Sequence, residues 1–262
     1  MFTGPDATVV RKLTATVVGG DQALTWDGRT SSGKPVPDGA YAVTLTARDL
    51  AGNVGEPVAT TAEVYAALSA LARTPTLFFP QDGDSLATKT KATWTLVSPA
   101  LVTVEVRNAA GDVVRTAYTE RQLPAGAASW TWNGKLPDGT FAPRGLYRLV
   151  VRASNGTQAA TQATTVLADA WKITTSVTSA VRGKAFKITA RSAEALSTTP
   201  YVLVAEPGLT SRKVTMTKVS STTWTAKITP KTTAQPGTMS LTVKAKDSAG
   251  GTNATKVKLV LK

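Results

Sequence analysis

Trp26-Asp-Gly-Arg-Thr-Ser-Ser-Gly-Lys-Pro-Val-Pro-Asp-Gly-Ala-Tyr41, running on into Ala42-Val-Thr-Leu-Thr-Ala47, is the stretch that decides the fold. It returns as Trp132-Asn-Gly-Lys-Leu-Pro-Asp-Gly-Thr-Phe-Ala-Pro-Arg-Gly-Leu-Tyr147, followed by Arg148-Leu-Val-Val-Arg-Ala153. The spacing is the same in both. Trp26 matches Trp132, Gly28 matches Gly134, Gly33 matches Gly139, Pro37 matches Pro143, Gly39 matches Gly145 and Tyr41 matches Tyr147. Asp-Gly and Asn-Gly are dipeptides of tight turns, and each proline pre-sets φ two residues ahead of a glycine. The period then becomes two. Tyr41, Val43, Leu45 and Ala47 share one face, as do Tyr147, Leu149, Val151 and Ala153. Such alternation marks a half-buried strand.

Trp26-Asp27-Gly28-Arg29, Gly33 and Val36-Pro37-Asp38-Gly39-Ala40-Tyr41 together resemble the immunoglobulin-like domain named after the flagellar hook-capping protein. The second copy departs from that pattern at Asn133, Thr140, Phe141 and Arg144 but keeps the spacing. The resemblance covers roughly residues 1–67 and 75–168. It implies an export-associated sandwich of a kind found as C-terminal modules of secreted bacterial proteins, with no catalytic residues to carry over.

Residues 1–67 hold a copy that lacks its opening strands. Aligning Val9-Val-Arg-Lys12 with Val113-Val-Arg-Thr116 leaves Thr76 to Arg107 without a counterpart, and that segment contains three strand-like runs. They are Thr76–Phe79, the alternation of Ala92, Trp94 and Leu96, and that of Val102, Val104 and Val106. A sandwich without them exposes a core face and unpaired edges. Two explanations stand: Met1 lies inside a longer protein, or another chain donates the strands through the open edges of 1–67. Residues 68–75 read as a short connector, and 75–168 as a complete copy. Trp94, Trp130 and Trp132 read as core; a sugar-stacking platform is the alternative and needs two exposed, coplanar indoles.

Residues 169–262 form a third unit of different sequence. Its strand runs are Lys184–Arg191, Tyr201–Ala205, Lys213–Val219, Thr223–Ile228, Met239–Lys246 and Lys256–Leu261, with an apolar inward set and a Lys, Arg or Thr outward set. The expectation is an all-β chain of three tandem immunoglobulin-like or fibronectin-III-like β-sandwiches, the first lacking its opening strands.

Charge is unevenly spread over a chain of net +13. Residues 1–73 carry six basic and seven acidic side chains, 74–168 nine and six, and 169–262 fifteen and four, giving −1, +3 and +11. Lys187, Arg191, Lys227, Lys244, Lys246, Lys256 and Lys258 are the candidate binding residues, facing an anionic cell-wall or surface polysaccharide. The alternative is that these side chains only keep outer faces soluble. Nucleic acid is disfavoured, because no aromatics interleave with the lysines and no nucleic-acid motif is present.

The chain has no Cys and no His, so disulfides, thiolate and imidazole ligands and His-based catalysis are excluded. No Gly-x-Ser-x-Gly or phosphate-cradling loop occurs, and many acids sit in turns: Asp27, Asp38, Asp82, Asp84 and Asp138. A carboxylate pair or a Ser–Lys dyad is what remains for catalysis, with few acids to serve it; a Lys–Asn isopeptide bond beside a buried carboxylate is one further chemistry, with no spacing to single out a trio. The turns Asp49–Asn53 and Asp247–Gly251 suggest calcium, yet one carboxylate and one amide fall short of six to eight oxygens. They are read as turns closed by side-chain hydrogen bonds. No catalytic residue, metal ligand or cofactor is assigned. No apolar run is long enough to cross a bilayer and no signal peptide is visible, so a secreted or cell-surface place rests on the family resemblance.

Overall fold

The computed structural model describes residues 1–17, 20, 22–65 and 67–262. The N-terminal part gives β1 (Phe2–Thr3), β2 (Val9–Arg11), β3 (Gly39–Leu45) and β4 (Val58–Val64), in one sheet of order β2-β1-β3-β4. Next come β5 (Leu68–Thr74), β6 (Leu77–Phe78), a 3-10 turn at Pro80–Asp82, β7 (Thr90–Leu96), β8 (Ala100–Arg107), β9 (Val113–Leu123), β10 (Gly126–Trp132), β11 (Gly145–Ser154) and β12 (Ala159–Ala168). These make a middle sandwich from two sheets, β10-β7-β5 and β6-β12-β11-β8-β9.

The C-terminal sandwich is built from β13 (Trp171–Thr175), β14 (Ser179–Ala180), β15 (Phe186–Ser192), β16 (Tyr201–Ala205), β17 (Arg212–Thr215), β18 (Thr217–Lys218), β19 (Thr223–Ile228), β20 (Gly237–Lys246) and β21 (Thr252–Leu261). Its sheets are β13-β15-β19-β18 and β14-β21-β20-β16-β17. The chain is all-β, as the alternation predicts. The residues of period two on β8 and β11 (Val102, Val104, Val106, Leu149, Val151, Ala153) are all buried in one cluster with Trp94, Leu96 and Trp132.

Two expectations need correction. Leu68–Thr74 is not a connector but an edge strand paired antiparallel to β7, with Leu68 opposite Leu96 and Thr74 opposite Lys91. Its alternation is hidden by the small residues Ser69, Ala70 and Ala72, and Ala70 sits at φ 55° where the register shifts. The run 213–219 is not one strand. It breaks at the buried Met216, so β17 pairs β16 in one sheet while β18 pairs β19 in the other. Strands β13 and β14 were not read from the sequence.

The N-terminal sheet repeats half of the middle sandwich, and Phe2–Thr3 takes the place of Val106–Arg107, so the run without a counterpart is shorter than the expected Thr76–Arg107. Its order β2-β1-β3-β4 corresponds to β9-β8-β11-β12, and the pairings coincide: Phe2 faces Val43 as Val106 faces Leu149, and Thr3 faces Ala42 as Arg107 faces Arg148. Among the described residues no second sheet covers it. Tyr41 is buried, Val43 is half-buried and Leu45 is 56% exposed, whereas their counterparts Tyr147, Leu149 and Val151 are buried, Val151 fully. The apolar face is laid down and left bare.

Candidate functional site

The repeated stretch is a structural clamp, and its polar groups are used internally. Trp26 Nε1 donates to the Arg29 carbonyl at 2.9 Å, and Trp132 Nε1 to that of Lys135 at 3.1 Å. Asp27 accepts the Arg29 amide and Asn133 the Lys135 amide. The Val36 amide bonds to Gly28 as the Ala142 amide bonds to Gly134. Arg11 reaches the Thr30 carbonyl as Arg115 reaches that of Leu136. Tyr41 donates its hydroxyl to the Pro37 carbonyl at 2.8 Å and Tyr147 to that of Pro143 at 2.6 Å, the tyrosine corner of immunoglobulin-type sandwiches. Gly28 and Gly134 adopt φ of 69° and 76°, and Gly39 and Gly145 lie at 147° and 157°. Each indole meets its tyrosine edge-on, at 5.3 Å for Trp26–Tyr41 and 5.0 Å for Trp132–Tyr147. Trp94 and Trp132 are buried, so they form no sugar platform; Trp130 is half-buried against the same core.

The seven basic candidates do not form one patch. Lys187, Arg191 and Lys227 lie on the sheet β13-β15-β19-β18, and Lys244, Lys246, Lys256 and Lys258 on the sheet across the core. Lys187 stands directly opposite Lys227, beside a shallow groove lined by Ser176, Phe186, Thr217 and Thr225. Arg191 faces Lys172 across β13 and donates to Thr76 Oγ1 at 2.7 Å, which places it at the junction with the middle sandwich. The ion pairs among the described residues are Arg107–Glu105, Arg144–Asp169 and Arg212–Glu206, so none of the seven has an acidic partner.

The junction between the sandwiches holds residues that the sequence reading passed over. Phe78 and Phe79 are adjacent, so their side chains diverge. Phe78 packs in the middle core 5.4 Å from Trp132, while Phe79 is fully buried in the C-terminal core with Ala170 and Trp171. Arg144 lies over the Phe79 ring at 4.4 Å, pairs with Asp169 at 3.7 Å and donates to the Ala254 carbonyl. Asp169 also accepts from Thr255 Oγ1 and from the Ala170 amide.

Beside this lies an acidic cluster. Asp82 and Asp84, from the turn after β6, meet Glu194 and Asp247 of the C-terminal sandwich, with one carboxylate oxygen of each within 4.8 Å of the others. Asp247 is fully buried and Glu194 is 4% exposed. The bonds made are few. Asp247 Oδ1 accepts the Ala249 and Gly251 amides, Asp84 Oδ1 that of Leu86, and Glu194 Oε2 the Asn253 side-chain amide at 2.7 Å. Asp84 Oδ2, Glu194 Oε1 and Asp247 Oδ2 are buried without any partner. Burial pushes the Glu194 carboxyl up to about 7; the Asn253 bond opposes this, and the charges of Asp82, Asp84 and Asp247 add to it. Burial also raises Asp82. The turns Asp49–Asn53 and Asp247–Gly251 are closed by side-chain hydrogen bonds, as read from the sequence. What no local pattern shows is that the fold delivers three more carboxylates to the second of them. Asn253 and Glu194 meet, but no lysine bonds to either among the described residues.

Comparison with known proteins gives the following likenesses. The family model described as the FlgD Ig-like domain matches residues 6–50 and 83–157. The basal-body rod modification protein FlgD of Escherichia coli (strain K12) is 46% identical over 55 residues, covering 21% of this chain and 23% of that protein. Its Salmonella typhimurium counterpart is 44% identical over the same length. The matched segment thus spans about a quarter of these curated relatives. Among solved structures, a tetra-tandem repeat in the extending region of a large adhesion protein aligns over 89% of this chain and 58% of that one, at 16% identity and a TM-score of 0.30.

Proposed function

We propose, from the match of residues 6–50 and 83–157 to the FlgD Ig-like domain, that this chain is a spacer and attachment module of an exported bacterial protein. In this reading the folding units meet near residues 67 and 169, with β5 belonging to the middle one. The work is non-catalytic, and the C-terminal sandwich contacts an anionic envelope polymer. One observation carries that contact: Lys187 stands opposite Lys227, and neither forms an ion pair among the described residues. Like charges directly opposed across a strand pair cost stability, and a polymer phosphate or carboxylate between them reverses the sign. Ser176, Thr217 and Thr225 add hydroxyl donors along the adjoining groove.

The test is retention of the full chain on immobilised poly(glycerol phosphate). At low ionic strength the chain is retained, and it elutes by about 0.5 M salt, where the Debye length falls toward 4 Å. The K187Q/K227Q variant elutes earlier than K256Q/K258Q on the opposite face. Failure to bind at low salt, retention indifferent to salt, or equal elution of the two variants overturns the assignment.

A second reading rests on the sheet face that is buried at Tyr41, half-buried at Val43 and open at Leu45. The matching registers support a layer patterned like β5 and β7 covering it, as protein assembly through the open edges of 1–67 requires. Fusing a copy of residues 67–105 ahead of Phe2 supplies that layer in register. Exchange of the β3 amides then slows; unchanged exchange refutes it.

A further inference from the structure

We infer that Asp82, Asp84, Glu194 and Asp247 form a binding site for one calcium ion that ties the middle sandwich to the C-terminal one. The inference is independent of what the basic faces bind. It starts from an imbalance of charge. Four carboxylates converge, and none of them forms an ion pair with a lysine or arginine among the described residues. Burying carboxylates without a counter-charge is costly, so an arrangement of this kind needs a cation or protons.

The second observation concerns individual atoms. Glu194 and Asp247 are side chains more than nine-tenths buried that each bring a carboxylate oxygen to the cluster, and Glu194 Oε1 and Asp247 Oδ2 have no hydrogen-bond partner. Asp84 Oδ2 is a third orphan. The other oxygens are held from behind, by the amides of Leu86, Ala249 and Gly251 and by the Asn253 side chain. This is the arrangement in which backing bonds orient ligands and leave the facing lone pairs free. Gly251 contributes by what it lacks: a β-carbon there would lie 2.5 Å from Asp247 Oδ2.

The donor set selects the ion. All candidate ligands are carboxylate oxygens, and the chain has no Cys or His to favour a transition metal. Calcium–oxygen distances of about 2.3–2.6 Å place opposed ligands roughly 5 Å apart, which accommodates atoms within 4.8 Å of one another. Magnesium keeps most of its waters and is usually held by one or two carboxylates, so four anionic donors suit calcium better. Water completes a sphere of six to eight.

Because two ligands come from each side, the ion cross-links the sandwiches beside the Phe79–Arg144 contact. The test is titration of the chelator-treated full chain with calcium chloride, read by calorimetry and by hydrogen exchange. The expected result is one ion per chain, with exchange slowing together around Asp82–Leu86 and around Glu194 and Asp247. D84N, at the half-exposed ligand, and E194Q, which removes a buried charge and so does not threaten folding, each weaken binding at least tenfold. Magnesium at the same concentration does not produce the slowing. Absence of saturable binding at millimolar calcium, binding left intact in both variants, or slowing confined to one sandwich overturns the inference.

Discussion

Replacing Phe79 with alanine tests how the two sandwiches are joined. The ring is fully buried, yet it sits at the end of a strand of the middle sandwich and fills the core of the next one. Phe→Ala in a packed core costs about 3–5 kcal/mol, and loss of the Arg144 contact at 4.4 Å adds about 0.5–1 kcal/mol. Since 1.4 kcal/mol is a factor of ten, roughly 4 kcal/mol speeds globally limited amide exchange in β15 and β20 by about a thousandfold. The neighbouring change Phe78→Ala leaves its hole beside Trp132 and accelerates β8 and β11 instead. Exchange measured by mass spectrometry on peptides from each sandwich resolves the two effects. An F79A cost below about 1 kcal/mol, or equal acceleration of both sandwiches by either variant, refutes the idea that one strand end serves two cores.

Other outcomes follow from the duplicated clamp and from one turn. Gly134→Ala costs more than Gly28→Ala in chemical denaturation. Both sit at positive φ, worth about 1–2 kcal/mol with a β-carbon, but only at 134 does that carbon fall 2.3 Å from Pro80 Cγ. Tyr147→Phe removes the bond to Pro143 and lowers the middle sandwich by about 1 kcal/mol in the same assay. Asp49 is held below the usual carboxylate value by the Asn53 side chain and then by the Asn53 amide. A folded value below the unfolded 3.8 means stability that is present above pH 3.8 and lost as pH falls through the folded value. Carboxyl NMR of Asn53→Ala shows the Asp49 titration moving up; no movement refutes the turn's hydrogen bonding.

The architecture was legible wherever a single segment carried its own signal. Tyr41, Val43 and Leu45 announce a strand by alternation, and the matching spacings of 26–41 and 132–147 announce a second copy, down to the hydrogen bonds. Signals failed where side chains are small or the chain changes allegiance. Leu68–Thr74 is too Ala- and Ser-rich to show an apolar face, and Met216 hides a transfer between sheets inside what reads as one run. The acidic cluster was illegible for a different reason. Asp82, Asp84, Glu194 and Asp247 are spread over more than 160 positions and each looks like a local turn or surface acid. Only tertiary packing sums their charge. The basic candidates show the converse: their outward phase was readable, but not that two opposite sheets divide them.

The transfer at Met216 bears on how the C-terminal sandwich would answer a pull on its two ends. Two β layers held only by side-chain packing can glide past each other when pulled from opposite ends. Here a single thread runs through both, because β17 is laced to β16 and β18 to β19 with one buried thioether at the crossing. Gliding would haul the two halves of that thread in opposite directions, so shear must first rip its amide ladders. The C-terminal sandwich carries its own stitch.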